Sequence, residues 1–195
     1  MLTAIHQNRS AHRALPLAIA AFIAIGCTGT ALAGGSTPWF DRDNPSGVGD
    51  FELTQDLLTI KCRTKVTTTN PTSTPITTGS PVGYNCGVPK GAWCTNAQTV
   101  PPGKCADMEV QYSWIAGTTW TAGSTPWLDR DNPGGVGDFE LTTDLLKITC
   151  QFKGGGAVTT GSPAGYNCSL PMGGWCTNAL TAGKACKDIE VQFTW

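Results

Sequence analysis

The sequence predicts a mainly β protein: two small, disulfide-stapled β modules in tandem, with long irregular loops. Three observations lead there. One long stretch occurs twice, the cysteines divide four to each copy, and apolar residues alternate with polar ones instead of recurring at helical spacing.

The repeat comes first. "WFDRDNPSGVGDFE" at 39–52 and "WLDRDNPGGVGDFE" at 127–140 agree at twelve of fourteen positions. The agreement continues through "DLLTIKC" and "DLLKITC", "TTGSPVGYNC" and "TTGSPAGYNC", "GAWCTNA" and "GGWCTNA". It closes with "CADMEVQYSW" and "CKDIEVQFTW". These matches set the modules at 34–114 and 124–195, with a linker at 115–123. Each copy holds its own cysteines: Cys62, Cys86, Cys94 and Cys105, then Cys150, Cys168, Cys176 and Cys186. Four cysteines allow three connectivities, and spacing does not choose among them. An even set per copy argues that the bridges close within a module. Modules of this size sit near the limit of what a hydrophobic core alone stabilises, so disulfides suit them, and each is expected to fold by itself.

Local patterns are mostly β. In "EVQYSW", Val110, Tyr112 and Trp114 alternate with Glu109, Gln111 and Ser113, the mark of a half-buried strand. "LLTIKC" sets Leu58, Ile60 and Cys62 on one face, and "DFELTQDLL" has room for one short helical turn. Between Cys62 and Cys86 the first copy is six residues longer than the second, in a Thr- and Pro-rich stretch that reads as a surface loop. Trp39 and Trp127 are read as core residues.

Residues 1–33 read as a secretory signal peptide. Arg9 and Arg13 precede an apolar run from Leu15 to Gly26, and Ala31-Leu32-Ala33 forms the cleavage site. The expected location is secreted and extracellular. Ile25-Gly26-Cys27 offers an alternative, a lipid anchor at the cell envelope through Cys27. Cleavage removes Cys27, His6 and His12, leaving eight cysteines, no histidine and a net charge of about −3. A Ser-His-Asp triad, a Cys-His pair and a His-ligated metal are thereby excluded. There is no basic patch for nucleic acid, and no later stretch is apolar enough for a membrane span.

The acidic loop is the candidate site. Asp41, Asp43, Asp50 and Glu52 fall within twelve residues, and Asp129, Asp131, Asp138 and Glu140 repeat them. Calcium takes six to eight hard oxygens, and without His or free Cys, oxygen ligation is the chemistry left. Gly47 and Gly49 let carbonyls turn inward, and Pro45 stiffens the turn. Asp41 alternatively faces solvent, with Asp107 or Glu109 closing the site from the last strand of the same copy. A bland alternative makes the acids caps of backbone amides in an Asx-type turn. A glycosidase reading rests only on Asp50 and Glu52, which would lie about 7 Å apart on one strand face. A module this small leaves little room for a substrate cleft, so the chain is expected not to be an enzyme.

At this point a family resemblance enters. Trp39-Phe40-Asp41, Asp43, Pro45-Ser46, Gly49-Asp50 and Glu52, then Cys86, Cys94, Asn96, Cys105 and Glu109-Val110, resemble the WxxW-repeat or CysD domain of gel-forming mucins. Cartilage intermediate layer protein carries a related copy. The second module matches through Trp127, Asp129, Asp131, Pro133, Asp138, Glu140, Cys168, Cys176, Cys186, Glu190 and Val191. Domains of that family have further cysteines. Loss of whole bridges accounts for the difference, so the resemblance favours Cys62–Cys86, Cys94–Cys105, Cys150–Cys168 and Cys176–Cys186. Ser36 and Ser124 stand where the family has its first Trp, so C-mannosylation of that Trp is not carried over. The resemblance implies a compact, mainly β, calcium-binding extracellular module without catalysis. The function expected is a secreted structural or adhesive pair of modules contacting extracellular protein, matrix or copies of itself. The alternative is a calcium-dependent carbohydrate-binding protein.

Overall fold

The structure is a computed structural model that describes residues 34–42, 48–69, 71–99, 103–130 and 136–195. The leader, Asp43, Asp131 and the Pro at the tip of each acidic loop lie outside the described residues.

The first repeat supplies β1 (Gly49–Leu53), α1 (Thr54–Leu57), β2 (Thr59–Thr64), β3 (Pro75–Ile76), β4 (Tyr84–Gly87), β5 (Gly91–Thr95) and β6 (Met108–Trp114). The second supplies β7 (Gly123–Ser124), β8 (Gly137–Leu141), α2 (Thr142–Leu145), β9 (Lys147–Phe152), β10 (Ala157–Val158), β11 (Tyr166–Ser169), β12 (Gly173–Thr177) and β13 (Ile189–Thr194). The described residues are mainly β, and their helices are the single turns α1 and α2 and a 3-10 turn at Asn178–Leu180.

Alternation in the sequence becomes burial in the strands. Along β6, Met108, Val110, Tyr112 and Trp114 are buried and the residues between them are half-buried. β13 repeats this with Ile189, Val191 and Phe193. Each of these strands lies antiparallel to the strand that opens its repeat's body, β6 on β2 and β13 on β9.

The acidic strands do not stay with their own repeats. β1 pairs with β12, setting Asp50 opposite Cys176 and Glu52 opposite Gly174. β8 pairs with β5, setting Asp138 opposite Cys94 and Glu140 opposite Ala92. The residues before each acidic loop follow the same rule. Phe40 bridges to Val191, and Leu128 bridges to Val110. The sheets are therefore β3-β2-β6-β7 and β4-β5-β8 on one side, and β10-β9-β13 and β1-β12-β11 on the other. One set is made by the continuous stretch 54–141. The other joins 142–195 to the segment 34–53. The repeats at 34–114 and 124–195 are sequence units, but neither supplies all the strands of its own sheets. The 115–123 stretch is the turn of a hairpin: β7 begins at Gly123 and pairs with the end of β6.

Packing is close at each crossing. A Cβ at Gly49 would stand 2.2 Å from the Cys176 carbonyl oxygen, and one at Gly137 would meet that of Cys94 at the same distance. Gly173 sits at φ +114° with its missing side chain aimed at the Glu52 carbonyl. Phe40, fully buried, lies 6.0 Å from Trp114, 5.2 Å from Trp120 and 6.1 Å from Phe193 by ring centroids. One first-repeat side chain thus joins the ends of both repeats, with edge-to-face contacts to the two Trp rings.

The four bridges are Cys62–Cys86, Cys94–Cys105, Cys150–Cys168 and Cys176–Cys186. Each stays within a repeat, so the disulfides follow the sequence units while the sheets cross them. Closing the Cys94–Cys105 loop stabilises by on the order of 3 kcal/mol.

The two ends of the described chain are neighbours. The Gly35 amide donates to the Trp195 carbonyl at 3.1 Å, and the Trp195 amide returns the bond at 3.0 Å. A circular permutant starting at Thr54, with Trp195 joined to Gly34 by a turn of about four residues, should therefore fold. The expected result is the same four bridges in a non-reduced digest and a melting temperature within a few degrees of the parent. Scrambled bridges or loss of the cooperative melt would place segment 34–53 on its own repeat instead.

Candidate metal centre

Each acidic strand carries two carboxylates inward. On β1 these are Asp50 and Glu52, and on β8 Asp138 and Glu140, each at alternate positions and so on one face. The Asp of each pair has a defined task. Asp50 Oδ2 accepts the Ile189 amide at 2.6 Å, and Asp138 Oδ2 accepts the Met108 amide at 2.6 Å. Each thus ties its strand to the first residues of the other repeat's last strand. Removing the Asp50 carboxylate would leave a buried amide without an acceptor, at a cost of about 1–3 kcal/mol.

The Glu of each pair is different. Glu52 and Glu140 are fully buried, and none of their four carboxylate oxygens has a hydrogen-bond partner. Burial, with Asp50 beside it, pushes the Glu52 carboxyl up to about 10. Burial, with Asp138 beside it, pushes Glu140 up to about 9. The Arg42 and Arg130 amides offset part of this from beyond hydrogen-bond geometry. Burial raises Asp50 and Asp138 to about 6, against the pull of their amide bonds.

More acids stand around each pair. Asp41 and Asp188 act on Glu52, and Asp129 and Asp107 act on Glu140. Lys153 Nζ lies 2.7 Å from Asp41 and 3.0 Å from Asp188. Lys65 makes the same bridge between Asp129 and Asp107. The outer oxygen of Asp41 and of Asp129 is thus held by a lysine, while each Oδ1 is buried without a partner.

Of the eight acids expected as ligands, Asp41, Asp50 and Glu52 come together, as do Asp129, Asp138 and Glu140. Asp43 and Asp131 lie outside the described residues. Asp41 does not face solvent: its side chain is 8% exposed. Asp107 joins the other repeat's acids rather than its own, because β8 has replaced β1 beside β6. Glu109 stays apart, bound by the Arg63 Nε at 2.5 Å. Gly49 serves the close strand crossing described above. Among the described residues, no three acidic side chains converge closely enough to hold a metal as they stand.

Lys65, Lys153 and Asp188 were not foreseen. The signal was in the repeat: each lysine stands three residues after the first cysteine of its copy, and Asp107 and Asp188 each stand two after the last. Arg42 and Arg130 pair with Asp56 and Asp144 on the surface, where such pairs contribute little. Trp39 and Trp127 are half-buried rather than core; the Arg63 guanidinium covers the Trp127 ring at 3.8 Å.

No curated protein and no solved structure matches this chain. A family model does, twice: the mucin-2 protein WxxW repeating region matches residues 36–113 and 124–194. Those spans follow the two sequence repeats and cover most of the chain, acids and cysteines included. The chain therefore belongs to the family of the mucin-2 WxxW repeating region, an extracellular, mucin-like structural module.

Proposed function

We propose that this chain is a secreted, non-enzymatic, calcium-binding structural protein whose paired sites brace surfaces for adhesive contacts with extracellular protein or matrix. The observation that carries the metal is the pair of buried, unpartnered glutamates. A carboxylate in that position is either protonated or neutralised by a cation. Asp41, Asp50 and Glu52 would hold one ion and Asp129, Asp138 and Glu140 the other, with Asp43 and Asp131 as further oxygen donors. Calcium would supply charge neutralisation and a common partner for oxygens that now have none. Asp188 and Asp107 bring a carboxylate from the opposite repeat to each cluster, so an ion there would brace the strand exchange.

Adhesion is the role that suits such a frame. Two equivalent sites on one chain raise avidity when both engage. A calcium-dependent carbohydrate-binding role is the alternative, and a glycan array run in calcium and in EDTA separates the two.

The metal is tested by melting the oxidised protein in EDTA and in millimolar calcium. Calcium near one hundred times its Kd at both sites should raise the melting temperature by about 10–20 °C. The double variant Glu52→Gln, Glu140→Gln should lose that rise and melt higher than the parent in EDTA, because it removes two buried carboxyls whose ionisation opposes folding. An unchanged melt with calcium, together with no heat in titration calorimetry, would remove the metal.

The raised carboxyls also set a pH dependence. The folded state binds protons more tightly than the unfolded chain at Glu52, Glu140, Asp50 and Asp138. Their contribution to stability is fully present below the unfolded values near 4 and is lost as pH rises through the folded values. In EDTA the urea midpoint should therefore fall between roughly pH 5 and pH 9. Calcium binding should release protons, read as a calorimetric heat that varies with the buffer's ionisation enthalpy. A midpoint in EDTA that climbs with pH over that range would contradict the carboxyl assignments.

A further inference from the structure

The two repeats have nearly the same sequence, yet the first carries a cleft whose charges the second lacks. It has a volume of about 510 Å³ and lies along β2 and β3, against Trp127. Its apolar surface comes from Ile60, Ile76 and the Cys62–Cys86 bridge, and Ser73 and Thr77 add hydroxyls. Lys61 and Arg63 bring two positive charges.

Those cations are where the repeats differ. The second repeat has Thr149 in place of Lys61 and Gln151 in place of Arg63. Ser73 belongs to the stretch that is six residues longer in the first repeat. The underlying frame is unchanged: Gln151 donates to Glu190 at 2.6 Å, as Arg63 donates to Glu109 at 2.5 Å. The repeats thus differ here in charge, in the wall at Ser73 and in Pro75 and Ile76, which are Ala157 and Val158 in the second.

Arg63 is held ready to bind. Glu109 takes its Nε, and the guanidinium carbon lies over Trp127, 3.8 Å from the ring centroid. Its terminal nitrogens have no partner among the described residues, and neither does the ammonium of the exposed Lys61. The fork geometry of a guanidinium suits a carboxylate. The apolar floor suits the C–H face of a sugar ring, and the hydroxyls suit its polar rim.

We propose that this cleft binds a carboxylated pyranose, with the carboxylate on Arg63 and Lys61 and the ring against Ile60 and Pro75. The site does not rest on the calcium reading. Its ligand is one class of acid sugar, which a free monosaccharide or the end of an acidic glycan chain could supply.

The test titrates the full oxidised protein with D-glucuronate, with a short oligoglucuronate and with glucose, all in EDTA. EDTA keeps the acidic clusters free of metal, so the result is independent of calcium. Amide and indole shifts in 15N spectra are expected to move at Lys61, Arg63, Thr77 and Trp127. Saturation by glucuronate assigns a free acid sugar, and saturation by the oligomer alone assigns a chain end. The variant Lys61→Thr, Arg63→Gln carries the residues of the second repeat, so its fold should survive, checked by amide dispersion. It should bind at least about tenfold more weakly, as should glucose to the parent protein. No shifts by either acid up to on the order of 10 mM, equal binding by the folded variant, or equal binding of glucose would overturn the proposal.

Discussion

Two hydrogen bonds hold the architecture in its exchanged form: Asp50 to the Ile189 amide and Asp138 to the Met108 amide. Each joins residues from opposite repeats, and each lies in a buried position where the amide has no water to turn to. Around them the same contacts occur twice. Thr37 Oγ1 accepts the Phe193 amide as Thr125 Oγ1 accepts that of Tyr112. Thr54 donates to the Met172 carbonyl as Thr142 donates to that of Lys90. Near-identity of the two acidic strands is what permits the exchange, since each is shaped for either body. The close glycine crossings then hold each strand near the backbone it meets.

The acids are deeply buried where the strands cross. Both acidic faces are sealed between β-strands of different origin. That seal leaves Glu52 and Glu140 with desolvated oxygens and no donor, a penalty of several kcal/mol if they ionise alone. Protonation or a bound cation relieves it. The lysine bridges at Asp41–Asp188 and Asp129–Asp107 neutralise the outer aspartates but leave both glutamates unpartnered.

Much of the fold was legible in the sequence. Strand alternation in "EVQYSW", the single helical turn after "DFEL" and the module-bound cysteine sets all describe local physics, and all appear as read. The bridges followed the family resemblance. Strand partners were not legible. β1 is equally suited to β5 and β12, because Gly91-Ala92-Trp93-Cys94 and Gly173-Gly174-Trp175-Cys176 offer nearly the same edge. Sequence alone offers two equivalent registers, and the chain takes the crossed one. Hence Asp107 was assigned to the wrong copy, and Lys65 and Lys153 were missed despite standing at matching positions. Trp39 and Trp127 misled for another reason: a repeated aromatic reads as core, but both are half-buried, and Trp127 meets the Arg63 guanidinium.

The central claim is that each acidic strand lies on the other repeat's body. The most direct measurement is a set of interstrand nuclear Overhauser contacts in the full oxidised chain. The account predicts backbone contacts between Gly49–Leu53 and Gly173–Thr177, and between Gly137–Leu141 and Gly91–Thr95. Contacts of Gly49–Leu53 with Gly91–Thr95, strands of the same repeat, would contradict it.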